Sequence, residues 1–195
     1  MAQATLDRKA QIHREACRLF RERGFHGTSV RDIAERVGML GGSLYAHMES
    51  KEDLLAEIVD AAADRFFEVL EPIVRSDQTS LQELRAAIVA HVKVIAEDLD
   101  AAAVYTVEWR HLSPARREAV TRRRDDYERM FRGLVGGAMR DRLISTDDEA
   151  TAALFILSAL NYMFTWYRPD GRMTPEEIGR MMCDYILDGL RRRTA

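Results

Sequence analysis

Apolar residues recur along this chain three and four positions apart, with no sustained alternation, so the pattern predicts helices and no strands. Ile12, Ala16, Leu19 and Phe20 define an amphipathic helix from about Asp7 to Arg23, stopped by Gly24. Thr28-Ser29 is a good N-cap pair for a short second helix, where Val30, Ile33, Ala34 and Val37 repeat at helical spacing before Gly38. Met39–Gly41 then leads into a very short third helix around Gly42–Met48. Ser50 caps a long fourth helix, with Asp53 completing a capping-box-like start. Its Leu54, Leu55, Ile58, Ala62, Phe66 and Leu70 line one side until Pro72. Five more helices are expected over about Leu81–Leu99, Ala101–His111, Pro114–Arg142, Asp147–Tyr167 and Pro175–Arg193. Ser80, Ser113-Pro114, Thr146-Asp147 and Thr174-Pro175 supply chemically explicit starts. The expectation is an all-α chain of about nine helices.

Composition changes this picture only in places. Of the 195 residues, 47% are hydrophobic, enough for a real core, and the net charge of −3 excludes a polycation. Residues 1–50 nevertheless carry eight Arg/Lys against six Asp/Glu, a mildly basic head on an acidic body. Such a head suits a local DNA-binding surface, because basic groups displace counterions from phosphates. Cys17 and Cys183 form no metal or disulfide framework. The polar N-terminal segment lacks a signal-peptide core. The most apolar run, Ala152–Tyr167, is sixteen residues interrupted by Ser158, Asn161 and Thr165, whereas a membrane span needs ~20. A soluble, cytoplasmic protein without membrane association is expected.

Residues 7–50 carry the functional argument. Two short helices joined by about four residues and packed on a longer first helix form a helix-turn-helix, whose second short helix enters the DNA major groove. The run Thr28-Ser-Val-Arg-Asp-Ile-Ala-Glu-Arg-Val-Gly-Met-Leu-Gly-Gly-Ser-Leu-Tyr-Ala-His-Met-Glu-Ser-Lys-Glu-Asp-Leu-Leu55 resembles the signature of the TetR family of transcriptional regulators. Gly24-Phe25, Ile33-Ala34, Gly38, Gly42-Ser43-Leu44-Tyr45, His47 and Ser50-Lys51 carry the likeness. It implies DNA contacts from Ser43, Tyr45, His47 and Lys51, with Thr28, Ser29 and Arg31 nearby and Gly42 allowing close backbone approach. Leu44 and Val30 are expected in the core. Leu40 and Gly41 replace polar and basic residues often found before Gly42, Ala46 is small, and Met48 replaces a common aromatic. The operator sequence is therefore open.

The same likeness divides the chain into residues 1–50 for DNA and 51–195 for ligand binding and dimerisation. The last two helices are expected to pair with those of a second copy through Phe155, Ala159, Met163, Tyr167, Met182, Tyr185 and Ile186. Phe66, Tyr105, Trp109, Arg110, Tyr127, Phe131, Asn161, Tyr162 and Trp166 are the ligand-binding candidates. The run Leu40–Tyr45 and the segment Trp166–Gly171 look like regulators of fatty-acid or steroid breakdown, which implies an acyl-CoA effector. Arg110, Arg116, Arg117, Arg122, Arg123 and Arg124 could bind its phosphates, or could form an ordinary solvated helix face. The function implied is a homodimeric repressor on a palindromic operator, released by a small apolar effector. An acyl-CoA-processing helical enzyme and a DNA-free dimeric adaptor are the alternatives. No catalytic residue, metal or cofactor is expected: Glu108-x-x-His111 lacks the second copy a di-iron bundle needs, and His13 with Cys17 supplies only two ligands.

Overall fold

The computed structural model describes residues 2–144, 146 and 148–190, with the side chains of 8–144, 146 and 148–189 among them. Those residues form nine α-helices: α1 Ala2–Arg23, α2 Val30–Arg36, α3 Gly41–Leu44, α4 Lys51–Val74, α5 Ser80–Glu97, α6 Leu99–Val107, α7 Pro114–Arg140, α8 Glu149–Asn161 and α9 Pro175–Leu190. Short 3₁₀ turns, Glu108–His111 and Tyr162–Thr165, follow α6 and α8. Among the described residues there is no strand, so the all-α expectation stands. No described helix is long and apolar enough to cross a membrane.

The boundaries follow local chemistry. Gly24 and Gly38 take positive φ values of 74° and 67°, which end α1 and α2 at the two glycines the sequence marks. Ser29 caps α2 in a full capping box: its hydroxyl accepts the Asp32 N–H, and the Asp32 carboxylate accepts the Ser29 N–H at 2.7 Å. Ser50 treats the Asp53 N–H at the start of α4 in the same way, at 3.0 Å.

Five ends differ from expectation. The third helix stops at Leu44, leaving Tyr45–His47 as a turn. Helix α4 runs through Pro72 to Val74, since a proline near the last turn removes one hydrogen bond without blocking the residues after it. Helix α7 closes at Arg140, where Arg142 adopts φ 59° and Leu143 N–H reaches back to the Ala138 carbonyl at 2.9 Å. That reach is a Schellman closure made without glycine. The remaining change is the tightening of the ends beyond α6 and α8 into 3₁₀ turns, where no Gly or Pro marks the change. The expected helix limits at Asp147 and Arg193 lie outside the described residues.

Two compact units emerge: residues 1–63 with 100–120, and residues 64–99 with 121–195. In the first, Ile12, Leu19, Phe20, Ile33, Leu44, Leu54 and Leu55 form the interior. The second is built on α5 packed against α9, with α8 also against α5. Gly179 lets α9 approach closely, because a Cβ there would stand 3.0 Å from the Val89 backbone.

Candidate functional site

In the first unit, the second and third helices and the turn after them carry several exposed residues. Ser29, Arg31, Gly42, Ser43 and Tyr45 are all exposed, and His47 is half-buried. A Cβ on Gly42 would meet nothing within 4 Å, so its backbone stands open to a close-approaching partner. Leu44 is fully buried and anchors the short recognition helix, while Val30 is half-buried rather than core. Leu40, 82% exposed at the start of α3, projects beside these residues and was not singled out as a contact by the sequence pattern.

Two of the expected DNA contacts face inward. Thr28 is buried, and its hydroxyl donates toward the carbonyls of Gly24 at 3.0 Å and Leu19 at 3.2 Å. The Lys51 ammonium donates to the carbonyls of Phe25 and Thr28, each at 2.6 Å, and lies 4.2 Å from the Phe25 ring centre. Burial pulls the Lys51 pKa below its ordinary value, with Asp32 opposing. Both residues thus close the turn between α1 and α2.

That turn is braced from the far side of the same unit. Phe25 N–H donates to the Glu108 carboxylate at 2.7 Å, and the Phe25 ring stacks with His111 at 6.0 Å between centres. The rings of His26 and His111 meet edge to face at 4.4 Å. Ser113 N–H donates to Glu52 at 2.9 Å, and the Arg116 guanidinium binds Asp53. Beside these contacts lies a groove of about 540 Å³ whose lining includes Tyr45, His47, Asp53, Glu57, Asp60 and Arg116. Lys9 and His13 already engage Glu57, at 2.9 and 2.8 Å.

The expected ligand residues fall in both units. Tyr105 is buried, Trp109 half-buried and Arg110 exposed within the first unit, and Arg110 folds back 5.2 Å from the Trp109 ring. Phe66, Tyr127 and Phe131 come together in the second unit, where the Phe66 and Tyr127 rings lie 5.8 Å apart and Tyr127 and Phe131 5.5 Å apart. At their centre is a residue the sequence reading passed over, His91, whose Nδ1 pairs with the Tyr127 hydroxyl at 2.9 Å. Its signal was present: Leu84, Ala87, Ile88, His91 and Val92 share one helical face. Burial pushes the imidazole down to about 3; Asn161 opposes this and Arg124 adds to it. The ring is therefore neutral. Asn161 is half-buried near it, whereas Tyr162 and Trp166 are 64% and 49% exposed.

The expected dimer residues also split. Phe155 and Tyr185 are exposed, and Ala159 and Met182 half-buried. Met163, Tyr167 and Ile186 are covered by their own protomer, because a helix apolar all round buries part of its circumference at home. Leu154 and Tyr162, not assigned to this face from the sequence, are exposed on α8 and the turn after it.

A three-helix head with a capped second helix, a short exposed recognition helix and a braced turn is a helix-turn-helix of the DNA-binding type. The model for "Bacterial regulatory proteins, tetR family" matches residues 12–58, and that for "Tetracyclin repressor-like, C-terminal domain" matches residues 77–190. The chain belongs to the TetR family of transcriptional regulators. It is 31% identical over 185 residues to the HTH-type transcriptional repressor KstR2 of Rhodococcus jostii, covering 94% of this chain and 91% of that one. The structure of the ketosteroid transcriptional regulator KstR2 of Mycobacterium tuberculosis superposes with a TM-score of 0.89 at 28% identity, over 95% of this chain and 96% of that one. AibR in complex with isovaleryl coenzyme A and operator DNA gives a TM-score of 0.81 at 27% identity, over 91% and 97% of the two chains.

Proposed function

We propose that this protein is a ligand-responsive repressor that binds a palindromic operator as a homodimer and leaves it when a carbonyl-bearing apolar effector binds. The observation that carries the DNA-binding half is the exposed set Ser29, Arg31, Gly42, Ser43, Tyr45 and His47 on one braced head. Hydroxyls, an imidazole and an open glycine backbone suit phosphate oxygens, and the N-termini of capped helices add favourable dipoles. Thr28 and Lys51 serve the same surface by holding the turn beneath it. On this reading residues 1–50 meet DNA, while 51–195 dimerise and take the effector.

The effector class rests on two supports. One is the relatives, of which KstR2 is a ketosteroid transcriptional regulator and AibR was solved with isovaleryl coenzyme A. The other is the aromatic cluster around His91, where apolar rings surround a few polar groups, a make-up that small-molecule sites share. Partner pairing uses the exposed Leu154, Phe155, Tyr162 and Tyr185, and a twofold then places two recognition helices about 34–36 Å apart, one DNA turn. The work is regulation by binding, as in the relatives, rather than catalysis, and it takes place in the cytoplasm.

The test is a mobility shift on the DNA upstream of the protein's own gene, with and without palmitoyl-CoA. A shift reversed by the thioester supports both halves of the proposal. A shift indifferent to palmitoyl-CoA and to a steroid ketone leaves a DNA-binding regulator with another effector. Failure to select any sequence from random DNA at low salt would sink the operator-binding reading.

A further inference from the structure

His91 is fully enclosed on α5, yet its Nε2 has no hydrogen-bond partner among the described residues. Buried polar atoms are nearly always paired, and an orphan costs stability, so this one calls for an explanation. The ring is held from its other side. Tyr127 bonds Nδ1 at 2.9 Å, the Phe66 ring lies 4.7 Å away, and Phe131 meets the imidazole edge-on at 6.1 Å. Asn161 comes near the same ring without completing a hydrogen bond to Nε2.

The tautomer follows from the chemistry of the pair. A phenol hydroxyl is a better donor than a neutral imidazole N–H, and an imidazole nitrogen is a better acceptor than a phenol oxygen. Tyr127 therefore donates to Nδ1, and the ring proton resides on Nε2. What is left over is a donor, aimed away from Tyr127 and walled by aromatic rings.

We propose that the His91 Nε2–H, oriented by Tyr127 and accompanied by the Asn161 amide, recognises a carbonyl oxygen of the effector. This inference deepens the effector reading above and rests on it. A carbonyl oxygen has two lone pairs, which matches one imidazole N–H and one amide N–H, and it carries no net charge into an apolar site. A thioester carbonyl and a ring ketone share that chemistry. A hydrocarbon of the same shape leaves both donors unmet, which is how a site of this kind rejects it.

The experiment pairs each carbonyl probe with an analogue lacking the oxygen: palmitoyl-CoA against S-hexadecyl-CoA, and cholest-4-en-3-one against cholest-4-ene. Affinities are measured by calorimetry on the full-length protein, its H91F/Y127F variant and its H91Q variant. The double variant removes both partners, so no phenol is left orphaned. The expected result is at least a tenfold preference of the native protein for one carbonyl probe over its analogue. That preference falls to less than threefold in H91F/Y127F and survives in part in H91Q, whose amide can still donate. The double variant's ligand-free melting temperature is expected to equal or exceed that of the native protein, so a lost carbonyl preference is not a sign of unfolding. A carbonyl preference retained in H91F/Y127F overturns the inference while leaving the effector reading intact. If neither carbonyl probe binds the native protein nor releases it from operator DNA, the inference and the effector class fall together, and operator binding alone remains.

Discussion

The backbone N–H of Phe25 donates to the Glu108 carboxylate at 2.7 Å, tying the turn after α1 to a residue 83 positions later. The Glu108 side chain is only 12% exposed, and Phe25 is almost fully buried, so the bond is charge-assisted and shielded from solvent. The angle at which α2 and α3 are presented thus depends on a carboxylate far along the chain. Replacing Glu108 by Ala should cost about 1.5–3 kcal/mol, the range for hydrogen bonds to charged groups. In a chain of this length that lowers the melting temperature by roughly 2–4 °C per kcal/mol. Gln, which keeps an acceptor without the charge, should cost less. Scanning calorimetry of the two variants checks the ordering, and an unchanged melting temperature in E108A would show that the turn does not need the carboxylate.

Lys51 and Arg31 are expected to part company. The Lys51 ammonium is committed to the Phe25 and Thr28 carbonyls, while the Arg31 side chain is 86% exposed and paired only on the helix surface with Glu35. Surface pairs of this kind are worth about 0–1 kcal/mol and are easily given up to a phosphate. Lys51→Met should therefore lower the melting temperature and weaken operator binding at every salt concentration. Arg31→Ala should leave stability within about 0.5 kcal/mol of native. It should also reduce the slope of log affinity against log salt by about 0.9, one phosphate contact. Titrations at four salt concentrations separate the two. A full unit of slope lost in K51M, with its melting temperature unchanged, would make Lys51 the phosphate ligand instead.

His91 gives the protein a pH dependence whose sign is fixed. Burial lowers its folded pKa to about 3, against an ordinary value of 6.5. Between these values the unfolded chain binds a proton that the folded one does not, so stability is full above about 6.5 and falls as the pH drops. The slope from this one group approaches about 1.4 kcal/mol per pH unit. Urea unfolding at pH 7, 6 and 5 should show a loss by pH 5 of about 2 kcal/mol more in the native protein than in H91F/Y127F. Carboxylates with lowered pKa values, such as Asp32, Asp53 and Glu57, titrate further down and are common to both proteins. Parallel curves for the two proteins would mean that the folded ring does accept the proton.

The head was legible because its signals are local. Gly24, Ser29 with Asp32, Gly38 and Ser50 with Asp53 each act through atoms within a few residues, and each is found where the pattern puts it. What was not legible depends on neighbours distant in sequence. Thr28 can cap a helix or turn inward, and only the positions of the Leu19 and Gly24 carbonyls decide. Met163, Tyr167 and Ile186 are apolar at helical spacing, which announces burial without saying whether the same chain or another covers them. His91 sits in the register of Leu84, Ala87, Ile88 and Val92, which announces a buried face without saying what a polar residue on it meets.

Exposed apolar residues of the second unit are the surface on which the proposed homodimer can be tested. Leu154, Phe155, Tyr162 and Tyr185 are 55%, 60%, 64% and 72% exposed. Large apolar side chains exposed together mark association surfaces more often than free surface. In a twofold pair the same residues would face themselves, so one substitution acts twice. Phe155→Glu with Tyr185→Glu should leave helicity by circular dichroism unchanged, since neither ring is part of the protomer core, yet yield a monomer by sedimentation at micromolar concentration. A monomer holds one half-site and loses the effective concentration that the second supplies, so operator affinity should fall about 10²–10⁴-fold. A double variant that stays dimeric would move the partner surface elsewhere on the molecule. One that becomes monomeric but keeps its operator affinity would show that a single head suffices, which a palindromic operator does not predict.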